Sequence, residues 1–141
     1  MEPNDVFVIA SNNKGKIKEF KTLLSPAEII PQSEIVQLDV DETGTTFFEN
    51  ALLKARGVAE FTDLSVIADD SGLIVPGLNN EPGLKSARYA SNDASDDENK
   101  EKLKSEMRRL GFKEMQAYFV CVLVMISSKP RGDAMPQKTP T

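Results

Sequence analysis

The feature that most constrains the fold is an almost uninterrupted apolar run near the end of the chain. Residues Ala117 to Ile126 read AYFVCVLVMI and include no charged side chain. A strand that is apolar at successive positions, and not only at alternate ones, is typical of a sheet that is covered on both faces. We therefore predict an α/β fold in which this strand, with Cys121 as a small core residue, is buried on both faces.

Shorter apolar segments predict the other strands of this sheet. Val6 to Ala10 and Ser65 to Ala68 have the composition of short buried strands, and Ile35 to Val40 that of a half-buried strand. Ser65 to Ala68 runs directly into Asp69 to Gly72, for which an Asx-type turn is one interpretation, and Leu73 to Val75 resumes the extended pattern. Helical patterns separate these segments, as expected for an α/β fold.

Apolar residues at helical spacing predict three helices. The first begins near Lys14 and stops at Ser25-Pro26. The second and third each follow a capping box, which starts at Thr46 in one case and at Ser95 in the other. The third helix has few apolar residues, so we expect it to be largely exposed.

The charge balance and the lack of histidine exclude several classes of function. The chain has 141 residues, a formal net charge of −5, one cysteine and no histidine. An acidic chain is poorly suited to wrapping long nucleic acid, and Ser-His-Asp and Cys-His mechanisms are excluded. No apolar run approaches the ~20 residues of a membrane span, and the acidic N-terminus lacks the basic region of a signal peptide. We expect a cytoplasmic protein that uses carboxylates, lysines and a metal ion.

The polar loop between the first strand and the first helix is a candidate anion site. It runs from Ser11 to Lys16 (SNNKGK), which places a glycine and lysines at a helix N-terminus, where backbone N–H groups can bind an anion. The loop lacks the Gly-x-x-x-x-Gly-Lys-Ser/Thr pattern of a P-loop. On spacing alone, a simple polar loop with solvated lysines is the favoured alternative.

Two adjacent carboxylates are a candidate metal site. Asp69 and Asp70 repel each other unless a cation or hydrogen-bond donors compensate them. Mg²⁺ is held through one or two carboxylates together with phosphate oxygens and water, which suits such a pair. One carboxylate could also deprotonate an attacking water. An Asx-type turn is the alternative, and this motif alone does not separate the two interpretations.

Three further residues are ambiguous when they are considered singly. Glu42 follows Asp41 in a predicted turn, where it could face the aspartate pair as a metal ligand, although a solvated turn is favoured when Glu42 is considered alone. Lys54 lies four residues after Asn50 on the polar face of the second helix, and it could reach a phosphate or be an ordinary surface lysine. Arg88 could contact a phosphate or form a structural ion pair.

Four segments, taken together, follow the order and spacing of a known enzyme family. They are ASNNKGK from Ala10, ETGTTFFENALLKA from Glu42, ADDSGL from Ala68, and Pro82-Gly followed by SARY up to Tyr89. In this they resemble the inosine triphosphate pyrophosphatase family, over about residues 6 to 126. Four ordered motifs at family spacing make the resemblance highly specific. It implies hydrolysis of ITP, dITP and XTP to the monophosphate and pyrophosphate, with Mg²⁺ as the cofactor.

The resemblance also implies a role for each candidate residue. The nucleoside triphosphate would be bound by Ser11, Asn12, Asn13, Lys14, Gly15, Lys16, Lys54, Ser71 and Arg88. Glu42 and Asp70 would hold Mg²⁺ with help from Asp69, and Asp70 would also act as the general base on the attacking water. The expected fold is an elongated mixed β-sheet flanked by helices, with two lobes and a nucleotide cleft. A homodimer is expected, with neither nucleic acid nor a membrane as a partner.

This chain departs from the family pattern in its C-terminal part. Family members continue with a Gly-Phe-Gly-Tyr-Asp-Pro segment and a Ser-His-Arg, and a chain without histidine has no Ser-His-Arg. We expect residues 1–126 to form the N-terminal part of the family domain, with an incomplete second lobe, and 127–141 to be a polar, disordered tail. Three alternatives stay open: an inactive relative that binds Mg-nucleotide or only dimerises, a pyrophosphatase for modified pyrimidines, and an unrelated α/β domain.

Overall fold

A computed structural model describes residues 2–128 of the chain. Three α-helices and five strands succeed one another in these residues. In chain order they are β1 (Val6–Ile9), α1 (Lys14–Leu23), β2 (Glu28–Pro31), α2 (Phe47–Ala59), β3 (Ser65–Val75), β4 (Glu81–Pro82), α3 (Asp96–Arg109) and β5 (Tyr118–Ile126). Short 3₁₀ turns lie at Gln32–Glu34, Pro76–Leu78 and Gly83–Arg88. No helix in this part of the chain is both long and apolar enough to cross a membrane.

The five strands form one mixed sheet, which confirms the predicted α/β class. Its order is β2-β1-β3-β4, and β5 also pairs with β3. β1 is parallel to β2, with Val6 opposite Glu28, and parallel to β3, with Val8 opposite Val66. β4 is antiparallel to the end of β3. The parallel strands β1 and β2 are joined through α1, as parallel connections require.

The described chain divides into two compact units. The first unit contains residues 2–43, 50–69 and 123–128, and the second contains residues 44–49 and 70–122. The first unit therefore holds β1, α1, β2 and most of α2, while the second holds β4 and α3.

The first unit is a three-layer arrangement whose core follows the alternation of β1. Phe7 and Ile9 belong to a cluster with Phe20 of α1, while Val8 and Ala10 belong to a cluster on the other face. That second cluster includes residues from α2, β3 and the packed side chains of β5: Ala55, Val58, Val66, Ala68, Val124 and Ile126. Because successive strand residues point to opposite faces, β1 needs a cover on each side. The two helices supply these covers.

The second unit has a smaller core and is held partly by polar contacts. Val75, Leu78 and Tyr89 are buried, whereas α3 contributes no buried residue, as predicted. The complete Ser95–Glu98 capping box is present at the start of α3. A helix with an exposed surface depends on such caps, because packing contributes little to its stability.

The expectation that Ile35 to Val40 forms a strand is wrong. The strand beside β1 is Glu28–Pro31, and residues 36–40 are irregular. Both edges of β1 are already paired, with β2 and β3, so no ladder position next to it is left for this segment. Side chains hold it instead, since the carbonyl oxygen of Leu38 accepts from Gln32 Nε2 at 2.6 Å and from Asn12 Nδ2 at 3.2 Å.

The alternative of an Asx-type turn at Asp69 to Gly72 is not observed. β3 runs without interruption through these residues, so the extended pattern does not stop and resume. The second half of the strand is held in place by pairing of Ile74 with Pro82 and by a bond from Leu73 N to Ser86 Oγ at 2.8 Å. Because the backbone is extended, both aspartates are presented from a strand and not from a flexible turn.

The apolar run at β5 is not buried on both faces, contrary to the prediction. Along this strand half-buried residues alternate with exposed ones, and Cys121 is exposed and not in the core. Phe119 is 68% exposed, and Leu123 and Met125 are each 55% exposed. Residues 2–128 supply a cover for one face of this strand only, since Val124 and Ile126 pack on the first unit. The predicted tail from 127 onwards lies almost wholly outside the described residues.

Candidate phosphate and metal site

The loop after β1 is shaped by its own side chains. Asn13 is the N-cap of α1, and its Oδ1 accepts from Lys16 N at 3.1 Å. Ser11 Oγ accepts from Asn13 N at 3.0 Å. A Cβ on Gly15 would lie 3.2 Å from the capping oxygen, so a small residue fits this position. The result is a tight strand–loop–helix connection that turns the start of α1, with its partial positive charge, toward the end of β1.

Lys16 contacts one of the two predicted metal-binding aspartates. Its Nζ lies 2.5 Å from Asp69 Oδ2, with the side chain of Lys16 31% exposed and that of Asp69 9% exposed. These residues are 53 positions apart in the sequence, and both belong to the first unit. A nearly buried carboxylate is costly without a cation, so the lysine compensates the charge of Asp69.

A second ion pair also joins a lysine to a carboxylate. Lys54 Nζ of α2 lies 3.6 Å from Glu42 Oε1, and both side chains are less than a third exposed. Lys54 is thus not an ordinary solvated lysine, although Asn50, expected on the same polar face, is buried. In each pair, a residue expected to bind phosphate contacts a residue expected to bind the metal ion.

A cavity of about 190 Å³ joins the loop to the second pair. Ser11, Asn12 and Asn13 line it on one side, and Glu42 and Lys54 also contribute to its wall. The structure therefore brings together the loop and the second helix. Lys14 does not line this cavity but a neighbouring one of about 470 Å³ along α1, to which Ser11 and Asn12 also contribute.

Sequence reasoning missed one residue of this cavity. Gln32 is 4% exposed and lines the cavity, and its amide holds the carbonyl of Leu38. The segment that carries Glu42 is irregular, so this bond helps to fix its course past the loop. A glutamine that follows a strand has no recognisable signal in a single sequence.

The remaining candidates belong to the second unit. Asp70 is 8% exposed, and Ser71 next to it is half-buried. Arg88 is half-buried as well and ends the 3₁₀ turn Gly83–Arg88. It lines a cavity with Lys85 and Lys102, and within residues 2–128 it forms no ion pair. Of the two interpretations of Arg88, the structural ion pair is therefore not observed.

The carboxylate oxygens available here fit a hard cation that takes its remaining ligands from phosphate and water. Within residues 2–128, no group of three His, Cys, Asp or Glu side chains is arranged to hold a metal ion by itself. Mg²⁺ does not require such a group, because one or two carboxylates suffice when phosphate oxygens and water complete its octahedron. Glu42 and Asp69 have the oxygen chemistry that this cation prefers, and a lysine now neutralises each of them.

These features define a class of protein. A mixed α/β sheet that presents a capped helix N-terminus and two lysine–carboxylate pairs beside its first strand is suited to binding phosphate groups. Comparison with known proteins identifies the family. The model of the Ham1 family matches residues 7–137, which is most of the chain. This chain belongs to the Ham1 family, and the resemblance found in the sequence is confirmed.

Individual relatives support the same conclusion. Proteins of Legionella pneumophila and Staphylococcus aureus, both named dITP/XTP pyrophosphatase, are 46% and 50% identical over 119 and 120 residues, or 84% of this chain. Among solved structures, the Ham1 protein of Staphylococcus aureus has a TM-score of 0.75 at 48% identity, and that of Coxiella burnetii 0.80 at 38%. These two alignments cover 87% and 89% of this chain and 64% of each solved chain. The chain spans about 61% and 60% of the two curated relatives.

Proposed function

We propose that this chain contains the phosphate- and metal-binding part of a nucleoside triphosphate pyrophosphatase. Its reaction would be the Mg²⁺-dependent hydrolysis of deaminated purine nucleoside triphosphates, namely ITP, dITP and XTP, to the monophosphate and pyrophosphate. The observation that carries the proposal is the pairing of Lys16 with Asp69 and of Lys54 with Glu42. The names of the relatives support the same reaction.

The two ion pairs are suited to an exchange of partners when the substrate arrives. Lys16 and Lys54 would transfer their N–H bonds from carboxylate oxygens to phosphate oxygens, to which an ammonium group binds equally well. Glu42, Asp69 and Asp70 would then be available to hold Mg²⁺, which supplies charge neutralisation at the phosphate oxygens. Each side chain keeps an oppositely charged neighbour throughout, so no charge is left uncompensated in a partly buried site.

The helix N-terminus and the general base complete the proposed reaction. Backbone N–H groups at the start of α1, ordered by Asn13, would bind the triphosphate with Ser11, Asn12 and Gly15. Asp70 would accept a proton from a water molecule whose oxygen forms a bond to a phosphate phosphorus. The bond from that phosphorus to the pyrophosphate oxygen breaks, and the lysines stabilise the negative charge of the leaving group. Ser71 would contact the substrate beside Asp70.

The cellular location, the oligomeric state and the partners of the enzyme are also proposed. We propose a cytoplasmic enzyme that acts on the free nucleotide pool as a homodimer and has no nucleic-acid or membrane partner. The acidic composition supports this, because a net charge of −5 disfavours binding to nucleic acid and to anionic lipid surfaces.

The proposal is tested by measuring both products from ITP, XTP, ATP and GTP in the presence of Mg²⁺. Release of pyrophosphate and monophosphate from ITP or XTP is expected, with a loss of at least about 10²-fold in Asp70→Asn. Lys104→Ala is the control, because in the described part of the chain this exposed lysine forms an ion pair with the exposed Glu101 alone. Release from all four nucleotides alike would show that purine selection is lacking. Binding of Mg-ITP by calorimetry without any turnover would overturn the enzyme assignment and favour the inactive relative.

A further inference from the structure

The second unit contains a cavity whose lining residues, apart from Arg88, have no role in the proposed reaction. Its volume is about 490 Å³, within the range of sites that hold small molecules. The 3₁₀ turn Gly83–Arg88 and Lys102 of α3 contribute to its wall, and Asn80 and Asn92 add two side-chain amides. Every lining residue lies between 80 and 102, so the cavity belongs to the second unit alone.

One wall of this cavity is held in a defined position. Tyr89 is 8% exposed, and its hydroxyl donates to Glu81 Oε1 at 3.1 Å. Lys102 Nζ donates to the carbonyl oxygen of Tyr89 at 3.1 Å and lies 4.5 Å from the centre of its ring. The hydrogen bond and the cation–π contact position the ammonium group of Lys102 at the cavity edge.

The charge of the cavity is strongly positive for a chain of this composition. Lys85, Arg88 and Lys102 line it, whereas Glu81 is the single carboxylate among the lining residues and already accepts from Tyr89. Neither Lys85 nor Arg88 forms an ion pair in the described part of the chain. Three cations in one small cavity repel one another, and an anion relieves that repulsion.

One charged pair near Tyr89 adds no net charge. Glu106 and Arg109 of α3 are close enough to influence Tyr89, but they pair with each other at 3.2 Å. Their charges cancel at longer range. The residues that line the cavity thus include three cations and one carboxylate.

We propose that this cavity binds a small sugar phosphate through its phosphate group. The guanidinium of Arg88 offers a planar fork of N–H donors that matches two phosphate oxygens, and the two lysines add point charges. The amides of Asn80 and Asn92 can donate to and accept from sugar hydroxyl groups. The volume exceeds what an inorganic phosphate ion needs, which favours a phosphate ester over the free ion.

The test measures binding of ribose 5-phosphate by calorimetry and by amide chemical-shift changes, in the absence of Mg²⁺. We expect saturable binding that perturbs amides between residues 80 and 102, and at least tenfold weaker binding in Lys85→Glu. Lys85 is exposed, so this variant is expected to fold, and its thermal unfolding is compared with that of the unaltered chain. Lys104→Glu makes the same charge change outside the cavity and controls for net charge.

Two further arms separate this proposal from the proposed enzyme function. Inorganic phosphate that bound as tightly as ribose 5-phosphate would overturn the assignment to a sugar phosphate. Lys16→Ala is expected to leave ribose 5-phosphate binding unchanged, because Lys16 belongs to the first unit. Binding that was lost in Lys16→Ala and kept in Lys85→Glu would locate the ligand on the loop after β1 and overturn the cavity site. Absence of pyrophosphatase activity would not affect any of these outcomes.

Discussion

Lys16 Nζ and Asp69 Oδ2 lie 2.5 Å apart, although 53 residues separate them in the chain. The lysine comes from the first turn of α1 and the aspartate from the middle of β3, which are brought together because β1 and β3 are parallel neighbours. In parallel strands the carboxyl ends meet at one edge of the sheet, where the loops that follow can share a site. The pair thus joins the predicted phosphate loop to the predicted metal ligands.

Replacing Lys16 with alanine is expected to lower both stability and affinity for nucleotide. The change leaves Asp69 nearly buried without a cation, at a cost of about 1–3 kcal/mol, less than for a fully buried pair because Lys16 is partly exposed. Denaturant unfolding followed by circular dichroism measures the first effect, and calorimetry with Mg-ITP the second. In Lys16→Ala with Asp69→Asn, we expect stability to recover partly while binding does not. Equal stability of Lys16→Ala and the unaltered chain would contradict this account.

Two substitutions of Asn13 separate the effect of helix capping on stability from the effect of charge on nucleotide binding. Asn13→Ala removes the acceptor for Lys16 N and should destabilise the protein by about 1 kcal/mol. Asn13→Asp keeps a capping oxygen and is expected to retain stability, but it places a negative charge where the triphosphate is proposed to bind. Only the aspartate variant should therefore show near-native unfolding together with strongly weakened nucleotide binding. Comparable nucleotide affinity in Asn13→Asp and the unaltered chain would argue against a phosphate site at this loop.

Gly72→Ala is expected to destabilise the second unit severely. A Cβ at this position would overlap the carbonyl oxygen of Gly83 and lie 2.8 Å from Ser86 Oγ and 2.9 Å from Phe47 Cε1. Because one of these atoms belongs to the backbone, relief requires β3 or the turn at Gly83 to move, at a cost of about 1–3 kcal/mol or more. Gly111→Ala is a contrasting variant, since within residues 2–128 no atom beyond its chain neighbours lies within 4 Å of the added Cβ, and its positive φ of 80° opposes the change. The thermal midpoint should fall further for Gly72→Ala than for Gly111→Ala.

Ionisation of Tyr89 at high pH is expected to lower the free energy of unfolding. Burial, then the hydrogen bond and the negative charge of Glu81, raise the pKa of Tyr89 from 10.0 to about 12. The folded protein therefore holds the phenol proton to a higher pH than the unfolded chain does. This contribution is fully present below pH 10 and is lost as the pH rises through about 12. Tyr89→Phe should show a smaller decrease in unfolding free energy over this interval, as measured by urea denaturation at a series of pH values.

The exposed face of β5 should promote self-association. Phe119, Leu123 and Met125 are each more than half exposed on this strand. Contiguous exposed apolar side chains on a strand favour contact with another chain. Leu123→Lys is expected to lower the apparent mass at high protein concentration in sedimentation velocity, without lowering the thermal midpoint. An unchanged sedimentation profile would show that this face does not drive association.

The local features of the fold could be predicted from the sequence. Short-range signals predict β1, the start of α1 and the capped starts of α2 and α3, because capping and periodicity involve residues within one or two turns. Thr46 does accept from Glu49 N at 3.0 Å, as the capping box requires. The loop Ser11 to Lys16 was likewise recognisable, since it lies directly between a strand and a helix.

Features that depend on distant neighbours could not be predicted in this way. Ile35 to Val40 has the composition of a strand, but β2 and β3 already occupy both edges of β1. Asp69 to Gly72 has the composition of a turn, but pairing with β4 and the bond to Ser86 keep β3 extended. In both cases local propensity is outweighed by which strand edges are available for pairing.

The sequence by itself determined the family, the α/β class and the chemical types of the candidate site residues, because these depend on residue identity and order. Only the tertiary structure decided that Lys16 compensates Asp69, that Lys54 compensates Glu42, and that Arg88 lies with Lys85 and Lys102 in another cavity. Such pairings depend on distances between residues far apart in the chain, and strand order and packing set those distances. The same reason explains β5, whose apolar composition is uniform but whose burial depends on which of its faces another element covers.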